Sequence, residues 1–241
     1  KFNSKVIIEI YDYSLKKEED ILVSCLSFNP QGIILVGLEH TKKTTKILKQ
    51  CNIPVIETWD TSNKPIDKLV GFSHYRLGYD IADIMLKKYK NILFVKSNYS
   101  SAEGDYIRGE KKFVGYRDRI IKEKRKTHSI SINSLDFLES GKEIILFVKK
   151  NKKENIDCVI CDEICALGAI YEANQNKIKL PKELAIAGIG NSQTAQLSSP
   201  TLTTVDINAY QIGQKAVSQI FDFDNNIVTD TGYLMVNGES A

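Results

Sequence analysis

Short apolar runs of four to six residues recur along this chain, separated by longer stretches in which apolar side chains return every three or four positions. Runs without polar alternation are the pattern of strands buried on both faces. They predict strands at residues 6–10, 32–36, 55–58, 69–72, 91–95, 156–160, 184–187 and 201–205. Helical spacing fills the gaps at 17–28, 41–51, 75–89, 107–124, 138–150, 163–174 and 208–221, with Ile21, Leu22, Cys25, Leu26 and Phe28 on one side of the first helix.

Alternating strands and helices build parallel sheets through right-handed crossovers. These strands are too many for one small sheet, and seams near 72–74, 205–208 and 223–227 divide the chain, the last beside Asp222, Asp224, Asn225 and Asn226. The expected fold is therefore α/β: two doubly wound parallel-sheet lobes joined by three crossovers. Residues 1–73 plus 207–222 form one lobe and 74–206 plus 223–241 the other, with a ligand cleft at the carboxyl ends of both sheets.

Composition narrows the function. The 241 residues carry 33 Lys plus Arg against 30 Asp plus Glu, a net charge of +3 that lacks the basic stripe of a nucleic-acid-binding domain. Five cysteines, an odd number, fit a reducing compartment such as the cytoplasm and free thiols. No apolar run approaches the roughly 20 residues that cross a bilayer.

Cofactor and nucleophile signatures fail one by one. Gly188-Ile189-Gly190 follows a strand, but Gln193 stands where a dinucleotide loop needs its third glycine. Neither a phosphate-binding P-loop nor a Gly-x-Ser-x-Gly elbow occurs. Cys158, Cys161 and Cys165 straddle a strand end and a helix start without a second ligand pair, so they read as core thiols rather than zinc ligands. No metal, cofactor or catalytic residue is expected, and an enzyme is disfavoured. Asn98-Tyr99-Ser100 matches a glycosylation sequon without consequence in a cytoplasmic chain.

Three sets of residues point to binding instead. Asp162 follows a strand and opens a helix, which suits a helix N-cap and a ligand contact alike. Arg108 and Lys112, four apart on one helix, project from one face near its N-terminus, either as a solvated face or as an anion site. Glu57, Trp59 and Asp60 close the strand at 55–58, and an aromatic ring beside two carboxylates suits a polyol.

Several stretches together resemble the effector domain of the LacI/GalR (lactose-repressor) family. They are Gln31-Gly32-Ile33-Ile34-Leu35, Asn52-Ile53-Pro54-Val55-Ile56, Asp162-Glu163-Ile164-Cys165-Ala166-Leu167-Gly168-Ala169, Ala185-Ile186-Ala187-Gly188-Ile189-Gly190 and Ser199-Pro200-Thr201-Leu202-Thr203-Thr204-Val205. The likeness runs to Gly238-Glu239-Ser240-Ala241. Within the family, His40-Thr41, the stretch Pro54 to Asp60, Val70-Gly71-Phe72 and Arg108 with Lys112 ahead of Gly115-Tyr116 are similar to the gluconate-operon repressor branch.

The resemblance implies a type I periplasmic-binding-protein-like core that binds a small sugar-type effector and pairs as a homodimer. It further implies operator DNA bound through a headpiece outside this chain, and a strand and helix ahead of residues 5–10, so that the N-terminal sheet lacks its first strand or a neighbouring chain fills the gap. Against the family pattern, Trp59 replaces a pocket aspartate with Asp60 beside it. Cys161 replaces an asparagine, and Gly190, followed by Asn191, replaces another aspartate. A basic position is kept as Lys112, with Arg108 one turn earlier. Fewer carboxylates with the cations retained shift the expected ligand toward an anion, a sugar acid such as gluconate or a sugar phosphate. Arg108 and Lys112 would hold the anion, and Trp59 or Phe137 would stack on the carbon chain. A periplasmic sugar-binding protein of a transport system shares the fold and is the competing reading.

Overall fold

The computed structural model describes residues 4–12, 14–97, 103–134, 136–221 and 226–241. The expected sequon at Asn98 and most of the expected seam at 223–227 lie outside them.

The first half of the chain builds α1 (Leu15–Leu26), β1 (Ile33–Val36), α2 (Lys42–Gln50), β2 (Val55–Thr58), β3 (Lys68–Gly71), α3 (His74–Leu86), β4 (Ile92–Ser97), α4 (Glu103–Lys122) and β5 (His128–Ile132). The second half adds α5 (Phe137–Lys150), β6 (Cys158–Asp162), α6 (Glu163–Gln175), β7 (Ala185–Ile189), α7 (Gln193–Leu197), β8 (Thr203–Asp206), α8 (Ala209–Phe221), β9 (Val228–Asp230) and β10 (Leu234–Val236). Hydroxyl and carboxylate caps start the helices where the pattern predicts: Thr41 caps α2, Ser73 caps α3 and Asp136 caps α5, each accepting from an early backbone N–H.

Two sheets result, with orders β1-β2-β3-β9 and β10-β8-β7-β6-β4-β5, and every pairing is parallel except β10 with β8. The central strands β2, β4, β6 and β7 are buried almost throughout, which is why they read as continuous apolar runs. One cluster of buried side chains runs from Ile56, Val70 and Phe72 of the first lobe into Leu77, Ile81, Phe94 and Ile160 of the second. A separate cluster around Val159, Ile186, Ile144 and Ala166 fills the other face of the larger sheet.

Three crossings join the lobes, the first two after β3 and after β8. The third differs. Val228–Asp230 pairs with β3, so this segment belongs to the first sheet rather than to the second lobe, and the chain crosses at Thr231–Tyr233. Thr231 anchors that crossing, its N–H donating to the Gly71 carbonyl at 2.8 Å. The seam at 223–227 followed a polar break, whereas a three-residue strand carries too little pattern to register.

Residues 6–10 also depart from expectation. They form no strand, and Val6, Ile8 and Ile10 are 77%, 81% and 69% exposed. An apolar run becomes a strand only when a neighbour takes its backbone N–H and C=O groups, and among the described residues none does. Instead the Tyr11 hydroxyl donates to the Val36 carbonyl at 2.6 Å, tethering the segment near β1.

Helices α3 and α4 pack at backbone contact. A Cβ on Gly78 would stand 1.9 Å from the Lys112 carbonyl oxygen, and one on Gly115 2.0 Å from that of Tyr75. Two glycines thus fix the height and rotation of α4, the helix that carries Arg108, Lys111 and Lys112.

Candidate functional site

The carboxyl ends of β2, β3, β4, β6, β7 and β8 supply the polar groups between the lobes. From the larger sheet, Asp162 ends β6 and takes two donors, the Lys112 Nζ at 2.5 Å and the Ser97 hydroxyl at 2.9 Å. Asp162 occupies the N-cap position of α6, as expected, but its carboxylate makes no capping bond. A cation and a hydroxyl have taken its oxygens instead. Lys112 is nearly buried at 13% side-chain exposure, and Arg108, one turn earlier, is 7% exposed. Neither lies on a solvated face.

Beyond β7, Gly190 adopts φ +121°, and a Cβ there would press on Glu163, which receives the Ser192 N–H at 2.8 Å. Asn191 donates to Asp206 at 3.1 Å, at the start of the second crossing.

From the first lobe, Asp60 is 2% exposed and accepts from the Thr61 N–H at 2.7 Å and from Lys111 Nζ at 2.5 Å. Because Lys111 sits on α4 of the other lobe, this ion pair ties the two lobes together across the cleft. Trp59 turns the chain with φ +69°, a region that non-glycine residues seldom enter. Its carbonyl accepts from His74 Nε2 at 2.7 Å, and its ring stands edge-on to Phe72 at 6.5 Å. His74 is buried, and its pKa falls to about 4: burial acts first, Lys112 and then Arg108 add to it, and Asp60 opposes. The ring is therefore neutral, and the charge it senses is net positive.

Two expected site residues are placed elsewhere. Glu57 is 2% exposed, accepts from the Ile66 N–H at 2.6 Å and stands 3.5 Å from His40 Nε2. Residue order along β2 explains this, since Trp59 and Asp60 lie past the strand end while Glu57 is still within it. Phe137 packs on Tyr171, ring centroids 6.0 Å apart, against the α5–α6 side of the core. Conversely, His74, Lys111, Ser97 and Asp206 were not singled out from sequence. His74 and Asp206 could have been, because both close or follow a strand at its carboxyl end, while Lys111 had no such signal.

His40 forms a buried ion cluster of its own. Its Nδ1 lies 2.9 Å from Glu18, so α1, the loop after β1, and β2 meet on one ring. Burial disfavours the imidazolium, but Glu18 and Glu57 outweigh it and raise the pKa to about 9, from the ordinary 6.5. A group whose pKa rises on folding contributes fully below its unfolded value and loses that contribution as pH climbs through the folded one. The thermal midpoint of the protein relative to that of a His40→Gln variant should therefore decline between pH 6.5 and 9. A constant difference across that window would show that His40 is not charged in the fold.

The thiols Cys158, Cys161 and Cys165 are fully buried, and burial pushes the first two well above their usual range, as inert core residues require. Among the described residues no helix is long and apolar enough to cross a membrane.

Two α/β lobes, three crossings and a polar cleft at the strand ends define a periplasmic-binding-protein-like domain, and the family model of that description matches residues 113–228. Beyond that domain, the chain is similar to transcriptional regulators. It is 28% identical over 99% of its length to the HTH-type transcriptional regulator IdnR of Escherichia coli (strain K12), of which it spans 72%. It is 26% identical over 81% of its length to the regulator GntR of the same strain, and the match spans 57% of that protein. Among solved structures, a LacI-family regulator from Silicibacter pomeroyi superposes with a TM-score of 0.89 at 25% identity, covering 99% of this chain and 73% of the other.

Proposed function

We propose that this chain is the effector-binding core of a transcriptional regulator, probing the cell for an anionic sugar-type ligand, a sugar acid such as gluconate or a sugar phosphate. The full protein would act on operator DNA through a headpiece outside these residues, as a homodimer in the cytoplasm. The observation that carries the ligand class is the burial of Arg108 and Lys112 on successive turns of α4 at the lobe junction. A guanidinium and an ammonium group one turn apart suit a carboxylate or phosphate, and both add to burial in lowering the pKa of His74. Asp162, Asn191 and Asp206 line the strand ends nearby and offer acceptors and a donor to hydroxyls.

The regulatory step follows from linkage. A ligand can change the lobe arrangement only through unequal affinity for the two arrangements. The Asp60–Lys111 pair is an element on which that inequality can act, since it spans the cleft and a bound anion beside Lys111 competes with Asp60. The known relatives are regulators, so the transport reading is not carried further.

A ligand that binds the folded form raises its melting temperature in proportion to the logarithm of its concentration above Kd. Thermal shift with gluconate, related sugar acids and sugar phosphates, set against neutral hexoses, should move the midpoint with the anions. A response to neutral hexoses alone would overturn the anionic ligand class.

A further inference from the structure

We infer that His74 reads a hydroxyl group of the ligand, accepting its hydrogen on Nδ1 beside the cationic end of the cleft. This rests on the anionic sugar-type reading above and adds to it the residue that separates a polyhydroxy acid from a simple one.

The imidazole sits in the first turn of α3, on the first crossing between the lobes, and is 7% exposed. Its Nε2 lies 2.7 Å from the Trp59 carbonyl oxygen. A carbonyl can only accept, so the proton is on Nε2 and Nδ1 presents a lone pair. That Nδ1 is buried and has no hydrogen-bond partner among the described residues. Buried acceptors are rarely left so, and an exception calls for a reason.

The ring cannot turn away to satisfy itself. Phe72 packs on it with centroids 4.7 Å apart, and Trp59, held at φ +69°, fixes the carbonyl that binds the other nitrogen. Lys112, the cation that weighs most on the ring, is engaged by Asp162 through its Nζ. What the lone pair needs is therefore a donor from outside the protein. A carboxylate or a fully ionised phosphate has none to give, whereas the hydroxyl next to such a group does. His74 thus complements Arg108 and Lys112, which take the charge while it takes the adjacent hydroxyl.

Calorimetric titration of the protein, of His74→Phe and of His74→Gln separates the possibilities. The ligands are gluconate, hexanoate as a carboxylate of equal length without hydroxyls, and sorbitol as a neutral polyol. Phenylalanine keeps the aromatic packing on Phe72 and removes the acceptor, and glutamine restores both a donor and an acceptor if the first variant fails to fold. We expect gluconate affinity to fall about tenfold in His74→Phe, the loss of one buried hydrogen bond, with hexanoate affinity unchanged and partial recovery in His74→Gln. Equal losses for gluconate and hexanoate, or no loss for either, would overturn the role of His74 while leaving the anionic ligand class intact. Binding of sorbitol but not gluconate to the unmodified protein would overturn the anionic class, and the sorbitol affinities of the variants would then judge His74 directly. No binding of any of the three overturns both.

Discussion

Replacing Lys112 with methionine should lower the affinity for a sugar acid about a hundredfold, some 2.7 kcal/mol, while leaving the melting temperature of the ligand-free protein within a few degrees. The lysine stem is packed in the cleft at 13% exposure, and methionine fills much the same volume, so the core around it is kept. The charge is not replaced. Asp162 then faces the ligand with only the Ser97 hydroxyl attached, and an attraction becomes a repulsion. Removing one member of a desolvated charge pair costs about 2–5 kcal/mol for this reason. Lys112→Arg should retain most of the affinity, and sorbitol should bind the methionine variant as it binds the unmodified protein. A loss of less than threefold in Lys112→Met would place the anion elsewhere.

Gly115→Ala should strongly destabilise the α3–α4 pair. Its Cβ would lie 2.0 Å from the Tyr75 carbonyl oxygen, and the reciprocal change at Gly78 meets the Lys112 carbonyl at 1.9 Å. Both obstacles are helix backbone, which cannot swing aside as a side chain can, so the helices must separate. Overpacking of that kind costs about 3 kcal/mol, and at roughly 2–4 °C per kcal/mol for a chain of this size the midpoint should fall by about 6–12 °C. Gly213→Ala on α8 is the control, because nothing lies within 4 Å of its Cβ. It should leave stability unchanged or raise it by about 1 kcal/mol, the ordinary helix preference for alanine. A Gly115→Ala protein that melts like Gly213→Ala would refute the close approach of the two helices. The same substitution should weaken ligand binding in whatever folded fraction survives, since α4 carries Arg108, Lys111 and Lys112.

How much of this was readable in advance depends on whether a residue's role is local. The run Ala185–Ile189 is buried on both faces and announced itself by composition alone. His128–Ile132 alternates polar and apolar side chains at the sheet edge and so escaped a reading tuned to unbroken apolar runs. Residues 6–10 have strand composition without a strand, because pairing is a property of the neighbour and not of the run. Among the candidate residues, the strand-end rule pointed to Trp59, Asp60 and Asp162, the family resemblance to Gly190 and Asn191, and helical spacing joined Arg108 to Lys112. The same rule overshot at Glu57, one residue pair too early in β2, where His40 and the Ile66 amide claim the carboxylate. Lys111 was invisible because its partner Asp60 is 51 residues away on the other lobe. Its neighbours Glu110 and Lys112 gave it the look of an ordinary charged surface.

The central claim is that the cleft between the lobes receives an anion on α4. A crystal structure of the protein grown with gluconate tests it most directly. The account predicts the ligand between the lobes with its carboxylate within hydrogen-bond distance of Arg108 and Lys112, its hydroxyls toward Asp162 and His74, and its carbon chain along Trp59. Gluconate bound with its carboxylate turned away from α4, or an empty cleft at saturating gluconate, would contradict it.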